Sequence, residues 1–74
     1  MNDQLPLARL RPGQTARITG LPDGRDLAKL LAFGLLPGTE VAVLQVVPAY
    51  VLAIGHTRIA LDRQLAASIM VSRS

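Results

Sequence analysis

The 74 residues predict a mainly β domain with one short α-helix, arranged as a small, partly open barrel of about five strands. Three observations carry that prediction. A helix, a glycine, a Pro–Gly bend and a strand follow one another within residues 30–41. The remaining apolar residues come in short runs bounded by Gly and Pro, the punctuation of strands rather than of long helices. Half of the residues are hydrophobic, but only Phe33 and Tyr50 are aromatic and there is no cysteine. The core must therefore be built from Leu, Val, Ile and Ala, and folding rests on packing without a disulfide or a thiolate metal site. A chain of this length buries roughly 60% of its unfolded surface, which leaves room for one domain over 1–74 and not for two.

The opening segment places Leu7 and Leu10 as apolar anchors ahead of Pro12-Gly13, a corner of the kind that proline and glycine make together. Residues 15–19 then alternate, with Ala16 and Ile18 on one face and Thr15, Arg17 and Thr19 on the other, the pattern of a strand wet on one side. Gly20 permits a bulge. A helix is expected next. Asp23 is suited to cap it and Asp26 falls in its first turn, where the helix dipole favours a carboxylate. Leu27, Leu30, Leu31 and Gly34 share the inner face, and Arg25, Asp26 and Lys29 the outer one.

Gly34 sits where a helix ends on a residue of positive φ, and Pro37-Gly38 fits the central pair of a type II turn. The strand expected over 39–47 is apolar at both parities: Val41, Val43 and Val47 on one face, Ala42, Leu44 and Val46 on the other. A strand apolar on both sides is normally covered on both sides, by the helix or by another chain. After Pro48, residues 50–54 read as a strand, Gly55-His56-Thr57 as a tight connection and residues 58–61 as the returning strand. Asp62 suits the cap of a single helical turn over 63–67, and residues 69–71 close the domain as a strand.

Chemistry is sparse. His56, the one histidine, lies in an expected turn with no base or orienting group fixed beside it, so no catalytic residue is assigned. The oxygen and nitrogen donors are Asp3, Asp23, Asp26, Glu40, His56 and Asp62, two of them better explained as caps. No cofactor and no resident metal are expected, while a transient contact with iron stays open. The net charge of +3 comes from cations scattered along the chain without runs or interleaved aromatics, the mark of a solvated surface rather than of a nucleic-acid groove. Residues 41–55 carry no charge but fall short of the roughly 20 residues of a membrane span and are broken by Gln45 and Pro48. The polar, acidic start lacks the pattern of a secretory leader, which makes the cytoplasm the expected location.

Four pieces in order, residues 10–13 with 16–20, residues 30–38, residues 41–48, and residues 59–61 with 66–71, resemble the ferrous iron transport protein A (FeoA) family. The most specific of them is Leu30-Leu31-Ala32-Phe33-Gly34-Leu35-Leu36-Pro37-Gly38. This chain departs from the usual pattern in two places, a trimmed hairpin after Pro48 and Asp62 where a basic residue is common. The resemblance implies an SH3-like barrel and a non-catalytic, cytoplasmic accessory to ferrous iron uptake. It also implies a partner, the GTP-binding region of the FeoB-type membrane permease, so that contact with the membrane would be indirect. The same domain occurs fused to metal-dependent repressors, so a regulatory domain of that kind, or a small basic nucleic-acid-binding barrel, is the alternative. The surface expected to meet a partner is Leu35, Leu36, Pro37 and Gly38 with Arg25 and Lys29 beside them; one of the two leucines should enter the core and the other face solvent. Self-association through the doubly apolar strand is a further expectation.

Overall fold

The computed structural model describes residues 4–73. Six antiparallel strands form one sheet: β1 (Gln4–Pro6), β2 (Thr15–Gly20), β3 (Glu40–Gln45), β4 (Tyr50–Ile54), β5 (Thr57–Leu61) and β6 (Met70–Arg73). Their spatial order is β1-β6-β2-β3-β4-β5. Two helices interrupt them, α1 (Arg25–Ala32) and the single-turn α2 (Arg63–Ala67), and one 3-10 turn spans Leu7–Arg9. The sheet curls around one aliphatic core to which both of its ends contribute, Leu7 and Leu10 from the β1 end, Leu52 and Leu61 from the β4–β5 end. The Tyr50 hydroxyl donates to the Ala8 carbonyl at 3.0 Å and so bridges the two ends. This is the small, curled, mainly β architecture that the sequence predicts.

One strand more than expected is present. β1 has three residues and includes Pro6, which has no N–H to give to a ladder; it exists because β6 pairs with it, Leu5 opposite Val71. Its own pattern carries no strand signal. β2 alternates as expected, with Ala16 and Ile18 buried and Thr15, Arg17 and Thr19 exposed, and its register against β6 shifts between Ile18 and Gly20. The hairpin turn Gly55-His56 has Gly55 at φ 59 and no positive φ at His56, which is a type II′ turn. Asp62 caps α2, its Oδ1 accepting from the Leu65 N–H at 2.7 Å.

Three local expectations are corrected. The N-cap of α1 is Gly24, at φ 78 and without a side-chain cap bond, not Asp23. Glycine enters that conformation without steric cost, and the helix begins one residue later than a capping Asp23 would set it. Leu31 does not belong to the inner face: it is 41% exposed, while Leu30 alone is fully buried and Leu27 half so. An eight-residue helix lying on a curved sheet covers a narrower stripe than its apolar residues would fill. The third correction concerns β3, which stops at Gln45 because its register against β4 shifts between Val43 and Gln45. The extra residue, Leu44, lies exposed in the bulge, and the parity beyond it reverses, so Val46 rather than Val47 packs against the core.

The two Pro–Gly corners prove to be the same construction used twice. Gly38 follows Gly13 by 25 positions, and three main-chain bonds around the one recur around the other. Gln14 N–H donates to the Arg11 carbonyl at 3.1 Å and Thr39 N–H to the Leu36 carbonyl at 3.0 Å, closing two type II turns with glycines at φ 94 and 91. Gly13 N–H donates to Val43 O and Gly38 N–H to Ile18 O, at 2.8 and 2.7 Å. Val43 N–H donates to Gln14 O and Ile18 N–H to Thr39 O, both at 2.9 Å. A buried leucine, Leu10 or Leu35, precedes each corner, and a register shift follows both Ile18 and Val43. The β2–β3 ribbon therefore has an internal two-fold, with one corner at each end.

Candidate partner-binding surface

The corner between α1 and β3 is built from the helix end outward. Gly34, at φ 89, lets the chain reverse: Gly34 N–H donates to the Leu31 carbonyl and Leu35 N–H to the Leu30 carbonyl, each at 3.0 Å. That pair of bonds is the Schellman motif, and its usual apolar contact is supplied by Leu30 and Leu35, both fully buried. With Leu35 pinned inward, the next residue must leave the core. Leu36 is 50% exposed, and Pro37 and Gly38 are exposed beside it. Arg17, on β2, sends Nη1 to the Gly38 carbonyl at 2.9 Å and adds a cation to the corner's rim.

Of the six residues expected to meet a partner, five are on the surface. Arg25 and Lys29 lie on the outer side of α1, and Leu36, Pro37 and Gly38 form the corner. Leu35 points into the core and supports the corner from beneath. Phe33, the C-cap residue of α1, is 38% exposed, and with Leu31 and Leu36 it makes three large apolar side chains exposed within six residues of sequence. Leu31 fits the apolar helix face by its spacing, and only the seating of Leu30 turns it outward, while Phe33 lies off that face as the C-cap residue. Exposed apolar residues grouped in this way are the mark of an interaction surface.

The opposite end of the ribbon carries exposed Leu44 and Val47, where the chain leaves β3 through a cis Val47–Pro48 peptide. The second face of β3 is thus left uncovered by α1. β3 itself runs between β2 and β4, so it has a face to offer and no free edge. Between the helices lies an open cleft of about 360 Å³ lined by Asp26, Lys29, Asp62, Gln64, Leu65 and Ser68. Two of its polar side chains are already engaged within α2, Asp62 with the Leu65 N–H and Ser68 with the Leu65 carbonyl.

Among the described residues no three of His, Cys, Asp and Glu converge in a way that could hold a metal ion. Asp3 lies outside the described residues. His56 is exposed at the tip of the β4–β5 hairpin, and Glu40 lies opposite Arg17 in the β2–β3 ladder. No buried side-chain polar atom among the described residues lacks a hydrogen-bond partner. Among the described residues no helix is long and apolar enough to cross a membrane.

Comparison with known proteins gives a consistent picture. The family model of the FeoA domain matches residues 5–73. The crystal structure of an iron uptake regulatory protein (FeoA) aligns with a TM-score of 0.88 at 28% identity, over 96% of this chain and 97% of that one. The solution structure of iron(II) transport protein A from Clostridium thermocellum aligns with a TM-score of 0.86 at 37% identity, over 93% of this chain and 45% of that one. IdeR of T. acidophilum contains a similar unit, with a TM-score of 0.89 at 25% identity over 96% of this chain and 34% of that one. The chain therefore spans less than half of the latter two proteins. No curated protein sequence matches it.

Proposed function

Because this chain belongs to the FeoA domain family, a family of small non-catalytic SH3-like domains tied to iron transport, we propose that it is a cytoplasmic accessory of ferrous iron uptake. Its partner in this reading is the GTP-binding region of an FeoB-type membrane permease, which it docks on or regulates, and residues 1–74 act as one FeoA-like unit. The docking surface is the α1–β3 corner: Leu36, Pro37 and Gly38 make the contact, Leu35 holds them from below, and Arg25 and Lys29 flank them on the helix.

The observation that carries this reading is Leu36, half exposed on a backbone that cannot move freely. Its neighbours are fixed by the Schellman bonds, the turn bond from Thr39 and the bond from Gly38 N–H to Ile18 O. A rigid apolar anchor loses little conformational entropy on binding, which is what concentrates binding energy in a few residues. The chemistry of the corner agrees: the cations Arg17, Arg25 and Lys29 around it suit an acidic rim on the partner.

The test is a pull-down of the cytoplasmic part of the permease from the same cell, paired with ferrous iron uptake in a strain lacking this chain. Binding and a fall in uptake support the reading; absence of both ends it. The alternative of a nucleic-acid-binding barrel lacks support from the surface, because Tyr50 is buried and Phe33 is the one aromatic left to stack.

A further inference from the structure

We infer that the free edge of β5 is a self-pairing site, through which two copies of this chain join their sheets across a two-fold axis at Ile59. The two edges of the sheet are unlike. β1 is three residues long and carries Pro6, both of which blunt an edge. β5 has five residues, no proline and an unbroken register against β4 from Tyr50–Leu61 to Ile54–Thr57. Its protection is a single charge, Arg58.

The hydrogen-bond pattern of the sheet fixes which groups of β5 face outward. Val43 directs both its N–H and its carbonyl at the Gly13–Gln14 segment on the β2 side. Antiparallel strands alternate between pairs that exchange bonds and pairs that do not, so Val43 and Leu52 face each other without exchange. Leu52 must then turn its N–H and carbonyl toward β5, where it is paired with Ile59. The two-residue Gly55-His56 loop gives the same phase independently, since it is closed by a bonded Ile54–Thr57 pair. Ile59 is therefore bonded inward, and Arg58 and Ala60 present their N–H and C=O groups to solvent.

Those two residues are complementary to themselves. A second copy laid antiparallel, with Ile59 opposite its own mate, sets Arg58 against Ala60 of the other strand and Ala60 against Arg58. Four main-chain bonds form, every outward group finds a partner, and no two arginines stand directly opposite. Arg58 and Ala60 are both exposed, and each arginine stem then lies over a methyl group. Half-buried Ile59 meets Ile59 on the core side, extending the apolar face across the join. An unrelated extended peptide would fill the same bonds but not this charge pattern.

Sedimentation equilibrium of the full chain from micromolar to millimolar concentration tests the site. A monomer–dimer equilibrium is expected. Ala60→Glu places a carboxylate opposite each Arg58 and should lower the dimer dissociation constant about two- to thirty-fold, the range for two favourable cross-strand charge pairs. Ala60→Arg should raise it by a similar factor. Ala67→Glu, which changes the net charge equally at another exposed site, should leave it within about two-fold. Synthetic chain N-methylated at Ala60 keeps the bonds to β4, loses two of the four across the join and should remain monomeric, with unchanged circular dichroism showing that it has folded. The inference is overturned if the chain stays monomeric at millimolar concentration, if N-methylation leaves a dimer intact, or if the two Ala60 variants shift the equilibrium in the same direction. Arg58 and Ala60 lie outside the α1–β3 corner, so neither outcome depends on binding to the permease.

Discussion

At the corner that opens β2 the first turn residue is Arg11; at the corner that opens β3 it is Leu36. Three main-chain bonds around them correspond, and so do the glycine conformations and the buried leucine that precedes each. What differs is how the corner is entered and what it shows to water. Arg11 N–H donates to the Gln14 side chain at 2.8 Å, so the first corner is locked within itself. The second is entered through a helix end and held from outside by Arg17, and its exposed residue is apolar. Backbone that the fold needs twice is a structural requirement; the side chain that appears once is the candidate for function. The duplication thus separates two roles that a lone Pro–Gly corner would leave merged.

The comparison can be broken most forcefully in the core. Leu10→Ala and Leu35→Ala each remove a buried side chain at equivalent places and should cost about 2–5 kcal/mol of stability apiece, read by urea or thermal unfolding. A large difference between the two would show that the corners are not mechanically equivalent. Next in size is the functional asymmetry: Leu36→Ser should weaken binding to the permease's GTP-binding region by about 2 kcal/mol, some thirty-fold in Kd, while Arg11→Ser leaves it unchanged in the same titration. Gly13→Ala and Gly38→Ala then test the shared backbone. Neither added methyl meets any atom within 4 Å, so the cost is the strain of positive φ, about 1–2 kcal/mol at each corner. The smallest effect is expected for Arg17→Ala, which removes one exposed bond and should lower the melting temperature by the equivalent of about 0.5–1 kcal/mol.

Much of this architecture was legible in the residues themselves, because the informative positions are ones at which backbone chemistry leaves little choice. Gly34 at the helix end, both Pro–Gly turns, the alternation of β2, the β4–β5 hairpin and the Asp62 cap all stand as expected. What failed was decided elsewhere in the chain. β1 is a strand only because β6 runs beside it. The bulge at Leu44 changes the facing of Val46 and Val47 through pairing with β4, and no property of residues 41–47 announces it. Leu31 turns outward because the short helix seats one leucine fully, and sequence periodicity does not report how wide a stripe is covered. The expected corner residues were placed by turn chemistry, which is local; their apolar neighbours were hidden because exposure is not.

One bond reaches further than its length suggests. Tyr50 is the only tyrosine and the chain has no tryptophan, so its near-ultraviolet fluorescence arises almost wholly from the phenol that is tied to Ala8. That phenol sits on the seam where the two flanks of the curled sheet come together. A single native chromophore, needing no label, therefore registers whether the seam is shut, and separates parting of the flanks from the loss of regular backbone that circular dichroism records.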